Sequence, residues 1–187
     1  MWTIPTLMTL ARIAALPLIV GLFYLPISME QRNLWSTVMF VVFALTDWLD
    51  GYLARKLNQS SAFGAFLDPV ADKFLVCASL LILVHLGRVD VLVSLIIIGR
   101  EIAISALREW MAQIGASRSV AVHVLGKLKT MVQMLAIPFL FYDGMLFGLI
   151  DTALWGWVLI WIAGVLTVWS MVYYLQKAWP DIVKHAK

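Results

Sequence analysis

The sequence predicts an all-α integral membrane protein of six transmembrane helices with both termini in the cytoplasm, organised as one domain over residues 1–187. Three observations predict it. Hydrophobic residues fill 63% of the 187 positions and charged residues only 13%, far from the balance of a soluble globular chain. Charge-free runs recur along the whole length, and the few charges gather at one end of each run. Finally, a helix needs roughly 20 residues to cross a bilayer, so repeated crossing leaves little chain for an extramembrane catalytic domain. No cation precedes Arg12, so a cleaved signal peptide is not expected. Cys77 stands alone, which excludes a disulfide framework or a cysteine-ligated metal, and it reads as a small core residue.

The apolar runs are Ile13–Met29, Asn33–Thr46, Phe74–Gly87, Val91–Gly99, Thr130–Tyr142 and Thr152–Gln176. Only the last is long enough to cross unaided, and each of the others must extend through a charged stretch. The resulting helices are expected over Leu7–Pro26, Asn33–Leu57, Ala62–Leu86, Val91–Met111, Val120–Tyr142 and Thr152–Ala178. Arg12 precedes the first run, Asp47 to Lys56 follow the second, and Asp68 to Lys73 precede the third. Arg100 to Glu109 follow the fourth, Lys127 and Lys129 precede the fifth, and Lys177 follows the sixth. With alternating crossings, all these ends meet at one face. Of the fourteen Lys and Arg, the opposite loops hold only Arg32 and Arg88, so the charged face is placed in the cytoplasm. Trp2, Trp35, Trp155 and Trp179 fall near the expected interfaces and read as an aromatic belt. His85, His123 and His185 show no ligand spacing and read as structural or interfacial.

The stretch Thr46–Lys73, TDWLDGYLARKLNQSSAFGAFLDPVADK, carries four aspartates that a membrane helix should not tolerate. Each costs roughly 2.5–3.5 kcal/mol at the bilayer centre, so something must offset them. At about 3.6 residues per turn, Asp47, Asp50, Gly51 and Ala54 fall on one helix face with Arg55 at its edge. Gly64, Asp68 and Asp72 share a stripe of the next helix. A short connection around Asn58–Ser61 turns the two helices antiparallel, so the stripes can face each other. Nearby Lys and Arg are too few to neutralise four carboxylates, whereas hard divalent cations fit an oxygen-only set. Four negative charges balance two Mg²⁺ or Mn²⁺ ions, a recurring device for phosphoryl transfer. The small residues Gly51, Ala54 and Gly64 would let a flat ligand approach the backbone.

The spacing Asp47-x2-Asp50-Gly51-x2-Ala54-Arg55-x8-Gly64-x3-Asp68-x3-Asp72 resembles the signature of the CDP-alcohol phosphotransferase family. The likeness continues through IPTLMTLARI at the start, REIAISALREW around Arg100–Trp110 and GKLKT at Gly126–Thr130, and so covers essentially the whole chain. Thr6 stands where many relatives have Asn, and no role is assigned to it. The resemblance implies a membrane enzyme, commonly a homodimer, in the bacterial inner membrane with its active site facing the cytoplasm. It implies transfer of a phosphatidyl group from CDP-diacylglycerol to glycerol 3-phosphate, with no nucleic-acid partner. By the same resemblance Asp47, Asp50, Asp68 and Asp72 would bind metal, with Asp72 also the general base. Asp50, Gly51, Ala54, Arg55 and Gly64 would accommodate CDP-diacylglycerol.

The acceptor pocket is read from the cations that remain on the charged face. Arg100 and Arg108 lie eight residues apart and roughly 80° round a helix, so both can lean toward one pocket and hold a phosphate bidentately. Lys127 and Lys129 point to nearly opposite sides, so only one is expected at the site, and family position favours Lys127. Arg118 and Lys129 are read as snorkelling to lipid headgroups. The competing possibilities are pairing of Arg100 with Glu101 and of Arg108 with Glu109, another acceptor such as phosphatidylglycerol, inositol phosphate or serine, or a cation transporter using the intramembrane carboxylates.

Overall fold

Helices form where the apolar runs place them. The computed structural model describes residues 4–57, 62–116 and 124–185, with the side chains of residues 4–8, 15, 47–57, 62–66, 68, 124 and 125 not described. Among the described residues the elements are α1 (Ile4–Leu22), α2 (Met29–Leu57), α3 (Ala62–His85), α4 (Val91–Gln113), α5 (Val124–Tyr142) and α6 (Thr152–His185). Between α5 and α6 lies a small antiparallel hairpin of β1 (Met145–Leu146) and β2 (Ile150–Asp151), which the expected all-α chain lacks. Thr152 closes it: its hydroxyl donates to the Gly144 carbonyl at 2.8 Å and accepts from the Gly144 amide at 3.0 Å.

The end of α1, the start of α2 and the end of α6 depart most clearly from the expected limits, each for a local reason. α1 ends at Leu22 rather than Pro26, and its exit tightens into bonds from Phe23 N to Val20 O at 3.2 Å and Tyr24 N to Gly21 O at 3.0 Å. Pro26 disfavours helical geometry in the residue before it. α2 starts earlier, at Met29, because Ser28 and Gln31 form a reciprocal capping box with both bonds at 3.3 Å. α6 runs past Ala178 and through Pro180 to His185, with Lys184 in its last turn, where a cation interacts favourably with the helix dipole.

All six helices contribute to one apolar core, represented by Ile19 of α1, Phe40 of α2, Leu80 of α3, Ile97 of α4, Ile137 of α5 and Ile160 of α6. α5 and α6 approach closely at Gly156, where a Cβ would fall 2.7 Å from Leu140 Cγ and 3.0 Å from the Leu140 backbone nitrogen. A second, smaller cluster of Ile104, Met111, Tyr174 and Ala178 joins α4 to α6 beneath the charged end. Outward-facing positions on α6 are also apolar, including Leu154, Trp157, Val165 and Trp169. Among the described residues α6 is the helix long and apolar enough to cross a membrane by length and composition, and only 33% of its apolar window is buried in protein. Trp35, Trp155 and Trp179 are exposed near helix ends, while Trp2 and His123 lie outside the described residues.

Arg88, in the loop between α3 and α4, ties down the end of the bundle opposite the aspartates. Its guanidinium donates to the carbonyls of Leu140 at 3.1 Å and Phe141 at 3.0 Å, capping α5. It also donates to Asn33 Oδ1 of α2 at 2.8 Å and pairs with Asp143 at 3.0 Å. Burial pushes the Arg88 guanidinium below its ordinary range, and the Asp143 carboxylate works against that shift. The other cation at this end, Arg32 in the first turn of α2, donates to the Leu25 carbonyl of the preceding loop at 2.8 Å. The two cations that break the charge asymmetry are therefore used as helix clamps.

Arg88→Ala strands four acceptors at once and is expected to cost about 2–4 kcal/mol. Thermal unfolding in detergent checks this, and an unchanged midpoint would show that the clamp contributes nothing.

Candidate functional site

The start of α3, the end of α4, the start of α5 and the end of α6 meet at one end of the bundle. A cavity of about 470 Å³ opens there. Its lining includes Asp72 and Lys73 from α3, Arg100, Glu101 and Arg108 from α4, and Gly126, Lys127, Lys129 and Thr130 from α5. Of the site residues expected from sequence, the cavity brings together Asp72, Arg100, Arg108 and Lys127. Five cations against two carboxylates leave this lining strongly positive, which suits an anionic ligand.

Asp47, Asp50, Gly51, Ala54 and Arg55 lie on α2, and Gly64 and Asp68 lie on α3. Their side chains, like all of Arg118, lie outside the described residues. Among the described residues no group of three or more His, Cys, Asp or Glu side chains could hold a metal ion. Asp72 is the member of the carboxylate set whose side chain is described, and it is half-buried.

The cations of the cavity are held by an internal network. Arg100 is 6% exposed, and one of its nitrogens donates to Glu101 at 3.4 Å while another donates to Ser170 Oγ of α6 at 3.1 Å. Ser170 in turn donates to the Thr167 carbonyl at 3.0 Å. Arg108 donates to the Tyr174 hydroxyl at 3.2 Å. Both guanidinium groups lie over the Tyr174 ring, Arg100 at 5.7 Å and Arg108 at 5.1 Å from its centroid. The Nε atoms of Arg100 and Arg108 are buried and make no hydrogen bond among the described residues, so two donors remain in reserve.

Lys129 departs from expectation. It is only 3% exposed and pairs with Glu101, so it does not snorkel to headgroups. Nor does one lysine exclude the other: Lys127 lines the cavity from its exposed side and Lys129 from its buried side. The positively lined cavity spans the first turns of α5, wide enough for both long stems to reach it. The pairing of Arg100 with Glu101 that competed with a ligand role is present, whereas Arg108 turns to Tyr174.

Sequence reasoning missed Tyr174, Ser170 and Lys73, and discounted Lys129. A signal for the first two does exist. Thr167, Ser170 and Tyr174 are all buried and recur every three or four residues along an otherwise apolar α6, so polar groups line one inward stripe.

The CDP-alcohol phosphatidyltransferase family model matches residues 2–169 of this chain. The CDP-diacylglycerol–glycerol-3-phosphate 3-phosphatidyltransferase of Salmonella choleraesuis strain SC-B67 is 46% identical over 185 residues, which is 97% of this chain and 98% of that protein. Proteins of the same name from Escherichia coli strain K12 and Shigella sonnei strain Ss046 are similar to the same degree and over the same share of each chain.

Glu101→Ala removes the carboxylate paired with the buried Lys129 ammonium and is expected to destabilise the protein by about 3–5 kcal/mol. Adding Lys129→Met removes the stranded charge and should restore most of the loss. A double-mutant cycle on thermal unfolding checks this, and simple additivity would show the pair to be uncoupled.

Proposed function

The chain belongs to the CDP-alcohol phosphatidyltransferase family, and from that premise we propose that it transfers the phosphatidyl group of CDP-diacylglycerol to sn-glycerol 3-phosphate, releasing CMP and phosphatidylglycerol phosphate. The observation that carries this reading is the near full-length similarity to relatives bearing that activity in their name. The cavity supports it independently, because a carboxylate, Asp72, stands in one lining with Arg100, Arg108 and Lys127. That lining suits a reaction in which a phosphate is gripped while a hydroxyl is deprotonated.

The whole chain, residues 1–187, is one membrane domain of six spans with both termini cytoplasmic. It resides in the bacterial inner membrane, with the cavity facing the cytoplasm, and works as a homodimer. The apolar outer surface of α6 and the bacterial origin of the relatives support this placement.

Asp47, Asp50, Asp68 and Asp72 would hold two Mg²⁺ or Mn²⁺ ions. The donor set fits, being oxygen-only, with two of its members on α2 and two on α3. Bound there, the ions supply charge neutralisation for the diphosphate of the donor. Asp50, Gly51, Ala54, Arg55 and Gly64 accommodate the cytidine nucleotide. Arg100, Arg108 and Lys127, which line the cavity together, take the phosphate of the acceptor. Asp72 accepts the proton of the C1 hydroxyl as that oxygen attacks the lipid-linked phosphorus. The new P–O bond forms as the bond to the CMP phosphate breaks, and no covalent enzyme intermediate arises.

The decisive experiment measures CMP release from CDP-diacylglycerol by detergent-solubilised protein with Mg²⁺. Glycerol 3-phosphate, phosphatidylglycerol, inositol phosphate and serine are supplied separately. Release with glycerol 3-phosphate alone is expected, and release with a different acceptor alone would reject the proposed activity. Asp72→Asn should lower kcat by about a hundredfold or more while retaining much of the nucleotide affinity. Arg108→Ala should raise the KM for glycerol 3-phosphate about tenfold with little effect on the KM for CDP-diacylglycerol. Equal loss of both affinities would instead mark a folding role.

A further inference from the structure

We infer that Tyr174 is a positioning residue that sets the spacing and tilt of the Arg100 and Arg108 guanidinium groups, and so determines which acceptor phosphate the cavity takes. The inference rests on the reading of the cavity as the acceptor site. Tyr174 is 1% exposed and is not among the residues that line the cavity, so it acts through the arginines rather than on the acceptor. Its ring lies under both guanidinium groups and its hydroxyl accepts from Arg108 at 3.2 Å. One aromatic plane beneath two like charges offsets part of their repulsion and fixes their relative orientation. Arg100 has further partners in Glu101 and Ser170, whereas among the described residues Arg108 donates to Tyr174, so Arg108 depends most on the tyrosine.

A further observation points the same way. A Cβ at Gly126 would stand 3.0 Å from the Tyr174 hydroxyl, so the absence of a side chain at Gly126 leaves room for the hydroxyl where it meets Arg108.

The test is a set of steady-state measurements on the full-length protein in detergent, with donor and acceptor varied separately. Tyr174→Phe removes the hydroxyl and keeps the ring, and should raise the acceptor KM about threefold to tenfold. Tyr174→Leu removes both and should raise it further, with the donor KM within about twofold of wild type. Gly126→Ala crowds the hydroxyl and should produce the Tyr174→Phe shift. In a Tyr174→Phe background it should add almost nothing, because the contact it disturbs is already gone. Parallel changes in both KM values, or an unshifted acceptor KM with a lowered unfolding temperature, would overturn the inference and make Tyr174 a packing residue. If wild-type protein works with another acceptor alone, the proposed activity fails, and the same KM split on that acceptor decides the role of Tyr174. If no acceptor is turned over, thermal stabilisation by glycerol 3-phosphate decides it. Stabilisation of wild type lost in Tyr174→Leu supports the inference, and equal or absent stabilisation in both overturns it.

Discussion

Glu101 is the counter-charge on which the described part of the site depends. It pairs with Lys129 of α5 and with Arg100 of its own helix, both almost wholly buried. Burying two cations in an apolar bundle is costly unless a carboxylate and further hydrogen bonds accompany them. Ser170 and the Tyr174 ring, both from α6, complete the surroundings of Arg100. Glu101, with Asp72 of α3 in the same lining, thus lets α4, α5 and α6 close together while keeping positive charge around a cavity.

The two ends of the molecule solve the same problem differently. At the end away from the aspartates, Arg88 spends its donors on the carbonyls of Leu140 and Phe141, on Asn33 and on Asp143. Arg32 at this end also keeps a buried Nε with no partner among the described residues. At the cavity, Arg100 and Arg108 each retain a buried Nε with no partner among the described residues. What suits Arg100 and Arg108 to an incoming anion is their place in the lining of an open, positively charged cavity.

Much of this was legible in a single chain. The apolar runs located six helices, and the uneven distribution of Lys and Arg identified the charged end where the cavity lies. Eight positions at fixed spacing from Asp47 to Asp72 carried the family resemblance. Arg100 and Arg108 were also accessible, because a spacing of eight on one helix is a local property. Lys129 was not. Its direction from the α5 axis said nothing of a carboxylate on α4 that would draw it inward, and a lone lysine near a helix end ordinarily reaches for headgroups. The ends of α1 and α2 shifted from expectation because capping by Ser28 and Gln31 and the local effect of Pro26 are decided within a turn of chain, and α6 ran on through Pro180.

By itself the sequence determined the helical class, the six helices found among the described residues, the end at which charge collects and the residues of the carboxylate motif. These follow from periodicity and from the energy of placing charge in an apolar medium, and both act along the chain. Only the tertiary structure decided that Lys129 faces inward, that Glu101 neutralises it, and that Tyr174 lies beneath two arginines more than sixty residues earlier. Such contacts depend on how α4, α5 and α6 pack, and local spacing carries no record of which helix will be the neighbour.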